Sequence, residues 1–290
     1  MKNHRFSNMI FIVLVFAMAS SAQDRHCLWK AQAGGAPVYL MGSVHVLSEA
    51  EYPLPEVMTA AFDASEQVFF EMHFDSVATP QAAALMMSRV QLPEGQSLKS
   101  LLDAETWQRA EKLAADLGMN LESLNGYQPW FVASSLMMAS LGRSGFNPQY
   151  GLDMHFFGRA KEAGKAIAGL ETLAFQLGLF SGLADSLQGS LMRQTLDELA
   201  VMDTAFNRLV GHWKTGAADS LEALLLKGFA DDPAFYEAFL VKRNLSWLPK
   251  VEALLAGDVP AVVIVGAAHL VGEDGVVAML RSRGVTVEQL

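Results

Sequence analysis

The sequence predicts an α/β fold: a central, mainly mixed β-sheet built from N- and C-terminal strands, with large helical insertions between them. Three observations predict it. PVYLMGSVHV near the start and AVVIVGAAHL near the end are short, β-rich apolar runs without polar alternation, the pattern of strands covered on both faces. Each breaks at a glycine followed three residues later by a histidine, Gly42 then His45 and Gly266 then His269. Between them, further strand-like runs are separated by long stretches with helical spacing.

Taken in order, the chain of 290 residues opens with Lys2 and Arg5 ahead of the apolar run IFIVLVFAMA, and Ser20 and Ala22 stand at the small-residue spacing of a cleavage site. Residues 1–22 are expected to be a secretory signal peptide cut after about Ala22, leaving an exported, periplasmic protein without a stable membrane span. The apolar run is short for an uncleaved anchor. CLWKAQ and PVYLMG, joined by AGGA, form an expected hairpin. VMTAAFDAS is helical, and EQVFFEMHF is a strand that finishes in Glu71 and His73. From about residue 80 to 147 the spacing turns helical, with Asp103 as an N-cap signal and Gly118 as a stop. GLDMHFFGRAKEAGKAIAGLET reads as a helix from Leu152 to about Ala163, a break at Gly164, and a strand ending in Glu171. A second helical block runs to about Ala256. AVVIVGAAH, the helix in GEDGVVAMLRSRG and the strand VTVEQL close the chain. Because strands come from both ends, residues 23–290 are expected to be one domain.

The bulk properties exclude several functions. A formal net charge of -10 lacks the basic footprint of a nucleic-acid partner. The single cysteine, Cys27, rules out an internal disulfide framework and reads as a packed thiol rather than a nucleophile. Ser43 lacks a G-x-S-x-G context, and Walker loops and His-Glu-x-x-His helices are absent.

His45, Glu71, Glu171 and His269 all fall at strand ends. If these strands are neighbours of the same polarity, the four groups open on one crevice. Two imidazoles and one or two carboxylates suit a divalent metal, Mn, Co, Zn or Fe, and such an ion would activate water for hydrolysis. The plainer alternative for Glu71 and Glu171 is pairing with an arginine, for which Arg159 and Arg243 are available. Asp153 and His155 stand near a helix start, where Asp153 could simply satisfy orphan N–H groups. Arg243 and Asn244 lie within an otherwise apolar helix and are either exposed or crevice-lining. His73, two residues beyond Glu71, shares its face if the strand continues.

The order of LWKAQ and VYLMGSVHV, VFFEM, GLDMHFFGRAKEAGKAIAGLET, KRNLSW and VIVGAAHLVGEDGVVAMLRSRGVTVE resembles the TraB/PrgY/GumN family over nearly the whole chain. Its bacterial members include many exported proteins, and its animal relatives are the TIKI membrane-associated metalloproteases. The resemblance implies a fold related to erythromycin-esterase-like and ChaN-like proteins. It also implies a site formed by Gly42, His45, Glu71, Gly266 and His269, with Asp153, Arg159 and Glu171 lining it. The functional expectation is a metal-dependent hydrolase acting on a peptide or small-molecule substrate, with His45, Glu71 and His269 holding the metal. Glu171 or a metal-bound hydroxide would then act as base. The alternative is a crevice that binds haem or a small metabolite without turnover.

Overall fold

The computed structural model describes residues 25–229 and 232–290, so the expected signal peptide lies outside the described residues. Six strands form one sheet: β1 (Leu28–Gln32), β2 (Val38–Ser43), β3 (Gln67–Met72), β4 (Ala166–Glu171), β5 (Ala261–Gly266) and β6 (Thr286–Gln289). Their order is β4-β3-β5-β2-β1-β6. β4, β3, β5 and β2 run parallel, whereas β1 is antiparallel to both β2 and β6, which makes the sheet mixed.

The expected hairpin forms, with Leu28 opposite Met41 and Ala31 opposite Val38. In neither strand-helix-strand run, β2 to β3 near the start or β5 to β6 at the end, are the two strands neighbours in the sheet. β5, from the far end of the chain, inserts between β2 and β3, and β6 crosses to the opposite edge beside β1. This insertion is what joins the two ends of the chain. β5 is the only one of the six strands in which every residue is buried, as its unbroken run of β-branched and small residues requires. Ser43 lies opposite Gly266 in the β2–β5 ladder, so the two glycine corners leave the sheet side by side.

The main core packs helices on this sheet, with Phe62, Phe70, Phe156, Trp213 and Trp247 among its largest buried side chains. The helical stretch between β3 and β4 forms a second core around Leu98, Trp107 and Leu136, completed by Met192 from the helix Asp185–Leu199 beyond β4. One expected helix start follows its cap. Asp103 accepts from the Thr106 N–H at 2.8 Å to open Ala104–Asp116, and Gly118, at φ +73°, follows its end. No helix among the described residues is long and apolar enough to cross a membrane.

Candidate functional site

The carboxyl ends of β2, β3, β4 and β5 form one edge, and the site is built along it. Glu71, the last residue but one of β3, lies at the centre of the site. Its Oε1 accepts the Gly266 N–H at 2.9 Å. It also lies 3.9 Å from His45 Nε2 and 3.8 Å from His269 Nε2. Its Oε2 accepts from Arg243 Nη2 at 2.6 Å and from Gln176 Nε2 at 3.2 Å.

The histidines are held alike by different partners. His45 Nδ1 lies 2.8 Å from Asp153 Oδ2, which also accepts from the Ser43 hydroxyl. A carboxylate only accepts, so Nδ1 carries the proton and Nε2 faces the site. His269 Nδ1 lies 2.6 Å from Asn244 Oδ1, and Asn244 Nδ2 donates to the Asp274 carbonyl at 2.7 Å. That second bond fixes the amide's orientation, so Nδ1 of His269 is again the donor. Its Nε2 then accepts from Arg243 Nη1 at 3.0 Å. Two imidazoles thus turn Nε2 toward one carboxylate oxygen, each held from behind at Nδ1 as metal-binding histidines are.

Arg243 ties the rest together from the helix Lys242–Leu255, which follows a π-helical turn at Glu237–Val241. Its Nε and Nη2 both lie 2.9 Å from Glu171 oxygens, and Nη1 also donates to the Phe239 carbonyl. Burial alone would lower its pKa, but the bonds and charges of Glu171 and Glu71 outweigh it and keep the guanidinium charged. Glu171 accepts further from Trp247 Nε1 at 2.9 Å and from Gln176 at 3.2 Å. With its lone pairs so engaged, Glu171 is a holding group for Arg243, which removes the expectation that it serves as base.

The charge states differ across the site. Burial pushes the His269 imidazole down to about 3, so it stays neutral. Burial pulls Glu71 upward, but the charges of His45 and Arg243, with the Gly266 N–H, outweigh that and hold it well below the ordinary carboxylate range. Asp153 raises the pKa of His45. The His45 side chain is 60% exposed, so water screens part of that attraction.

The two glycines serve different ends. A Cβ on Gly266 would stand 3.1 Å from His45 Nε2 and 3.3 Å from Glu71 Oε1, so this glycine leaves the centre of the site open. A Cβ on Gly42 would stand 2.3 Å from Cys27 Sγ, so that glycine makes room for the buried thiol rather than for a ligand.

The structure therefore brings together His45, Glu71, Asp153, Glu171, Arg243, Asn244, Gly266 and His269. Asp153 does not cap its helix, Leu152–Glu162; it holds His45 instead. Arg159 is a correction. Near the far end of that helix, its guanidinium pairs with Asp63 at 2.7 Å and lies over the Phe62 ring, on the outer surface. Six residues separate it from Asp153, almost two helical turns, which carries it out of the crevice. β3 stops at Met72, so His73 leaves the strand and packs edge-on against Phe157. His155 packs against Tyr52 and Phe156. Ser43, Gln176 and Trp247 were not expected. Trp247 had a signal, since it stands one helical turn beyond Arg243; Gln176 had none.

Among the described residues, no group of three or more His, Cys, Asp or Glu side chains is arranged as a ready ligand set for a metal ion. The separations show why: ligands around a tetrahedral zinc at about 2.0–2.1 Å lie about 3.3 Å apart. The donors at His45 Nε2, Glu71 Oε1 and His269 Nε2 are of the kinds that a divalent ion takes, with His269 Nε2 occupied by Arg243 Nη1. Binding requires them to close and Arg243 Nη1 to release His269.

The model of the TraB/PrgY/gumN family matches residues 27–289. The chain belongs to this family. It is 25% identical over 278 residues to the uncharacterized protein YbaP of Escherichia coli K12, covering 94% of this chain and all of that relative. It is 25% identical to metalloprotease TIKI2 of Danio rerio, over 87% of this chain and 58% of that longer protein. An uncharacterized protein of Treponema pallidum is 19% identical over 88% of the chain and 80% of the relative. No solved structure matches, so kinship to the erythromycin-esterase-like and ChaN-like folds rests on the resemblance alone.

Proposed function

We propose that this family member is an exported, metal-dependent hydrolase of amide or ester bonds, working at the carboxyl edge of the β2–β5–β3–β4 strands. The observation that carries the reading is the convergence of two tethered imidazoles on one oxygen of Glu71. His45 Nε2, Glu71 Oε1 and His269 Nε2 would hold a divalent ion, with Mn, Co and Zn all suited to this donor set. Such an ion supplies a Lewis acid for a substrate carbonyl and an acidified water. Asp153 and Asn244 keep the Nδ1 protons of the two histidines in place, so both Nε2 atoms stay directed inward. Arg243, anchored by Glu171, fixes the second oxygen of Glu71 and leaves the first directed at the centre. Similarity to a protein named as a metalloprotease supports peptides as the first substrates to try.

The test is a screen of peptide and ester libraries against protein reconstituted with each ion, comparing wild type with Glu71→Gln. The reading predicts ion-dependent turnover that the substitution lowers by at least about a hundredfold, the scale of losing a group that orders the reacting centre. Equal turnover by both proteins removes Glu71 from the mechanism.

A further inference from the structure

Immediately beside the catalytic cluster lies a cleft of about 400 Å³, lined by Gly169, Glu171 and Leu173 on one side and by His73, Ala82 and Leu85 on the other. It opens between the end of β4, the helix Leu173–Ser181 and the first turns of the helix Pro80–Val90. Glu171 belongs to both cleft and cluster, and Gln176, in the same helix as Leu173, reaches Glu71. Resting on the hydrolase reading, we propose that this cleft is the specificity subsite, receiving an apolar side chain of a peptide substrate next to the bond that is cut.

Three observations lead there. The volume stands near the lower end of the range of ligand sites, about 300–1,000 Å³, which suits one or two side chains rather than a whole folded partner. Its polar edge is largely committed elsewhere. The Thr79 hydroxyl accepts from the Ala82 N–H and donates to the Ser76 carbonyl. The Thr172 hydroxyl accepts from the Phe175 N–H, and Glu171 is engaged by Arg243, Trp247 and Gln176. What remains for a ligand is the apolar floor, rimmed by His73, Ser76 and Gln81. Ala82 and Leu173 belong to a buried cluster with Val90, Trp130 and Leu177, against which Leu85 packs. Uncovered apolar side chains also gather around it in sequence: Val77, Met86 and Phe175, all at least 36% exposed, each follow a cleft-lining residue.

The test uses alanine-based fluorogenic octapeptides carrying one Leu, Phe or Asp at each position in turn. Wild type, Ala174→Trp and Leu85→Ala are compared, with folding checked by circular dichroism. Ala174 lines the cleft from an exposed position, so the larger ring enters the cleft without disturbing the core. At one position, Leu or Phe is expected to raise kcat/KM about tenfold over Ala in wild type. Ala174→Trp is expected to abolish that preference by raising KM for the Leu or Phe peptide to that of the alanine peptide. Leu85→Ala is expected to shift preference from Leu toward Phe. An unchanged preference in both variants, or a preference for Asp, overturns the proposal while leaving the hydrolase reading intact. If wild type cleaves no peptide, the peptidase form of the hydrolase reading fails. Fluorescence anisotropy of labelled, uncleaved peptides then decides the subsite: tighter binding of the Phe peptide, lost in Ala174→Trp, supports it. Equal affinity in both proteins, or no binding, overturns it.

Discussion

The two Gly-x-x-His corners read alike in sequence and leave the sheet side by side, yet they are built differently. At the β2 corner, the glycine faces the core. A Cβ there would collide with Cys27 Sγ, while the Gly42 carbonyl accepts from the buried Trp213 Nε1 at 2.7 Å. Its histidine is exposed and held by the Asp153 carboxylate. At the β5 corner, the glycine faces the site, and its histidine is buried, held by an amide and covered by Arg243. One corner therefore presents an imidazole that a proton readily occupies, the other an imidazole kept neutral. A repeated motif can thus supply two unlike imidazoles, because the second residue that holds each ring decides its electrostatics.

The largest effect should come from removing the group that joins the two halves. Arg243→Ala leaves Glu71 and Glu171 buried without their cation, which is expected to cost about 3–5 kcal/mol of stability. Urea denaturation would register this as a lower midpoint at unchanged slope. A midpoint equal to wild type would mean that the carboxylates find other partners. Next come the tethers. Asp153→Asn and Asn244→Ala should each weaken ion binding about 10- to 100-fold, the scale found when groups behind metal-binding histidines are lost. Titration calorimetry with Mn, Co and Zn measures this directly.

The glycines separate the corners most sharply. Gly42→Ala is expected to cost about 1–3 kcal/mol through overpacking against the thiol. Cys27→Gly in the same chain should recover much of that stability. Gly266→Ala should instead lower activity with little change in the unfolding midpoint, because its Cβ meets polar side chains of the site. The smallest effect concerns Cys27 itself. Burial pushes its thiol up to about 12 from an ordinary 9.0. The folded state therefore keeps a proton that the unfolded chain gives up as pH passes about 9, so stability should fall as pH rises above that point. Cys27→Ala should flatten that decline. Iodoacetamide at pH 8 should leave the native thiol unmodified and label it only after unfolding.

The strand ends were legible because each local signal was strong. Apolar runs fixed β2, β3, β4 and β5, and their terminal His45, Glu71, Glu171 and His269 do meet. The order of the strands was less accessible, since nothing local to AVVIVG states that it inserts between β2 and β3. Arg243 and Asn244 stayed open between surface and crevice in the sequence, and only packing against β4 and the His269 turn decides them. Arg159 misled because a helix can bring only its first turn to a site at its N-terminal end. Gln176 was invisible because a glutamine one turn into an apolar helix carries no pattern of its own.

The central claim is that His45, Glu71 and His269 act together as one ion-holding set. Elemental analysis of purified protein equilibrated with Mn, Co or Zn and then desalted tests it most directly. The account predicts about one ion per chain in wild type, lost in His45→Ala, in His269→Ala and in Glu71→Gln. An ion-free wild type, or equal occupancy in all four proteins, would contradict it.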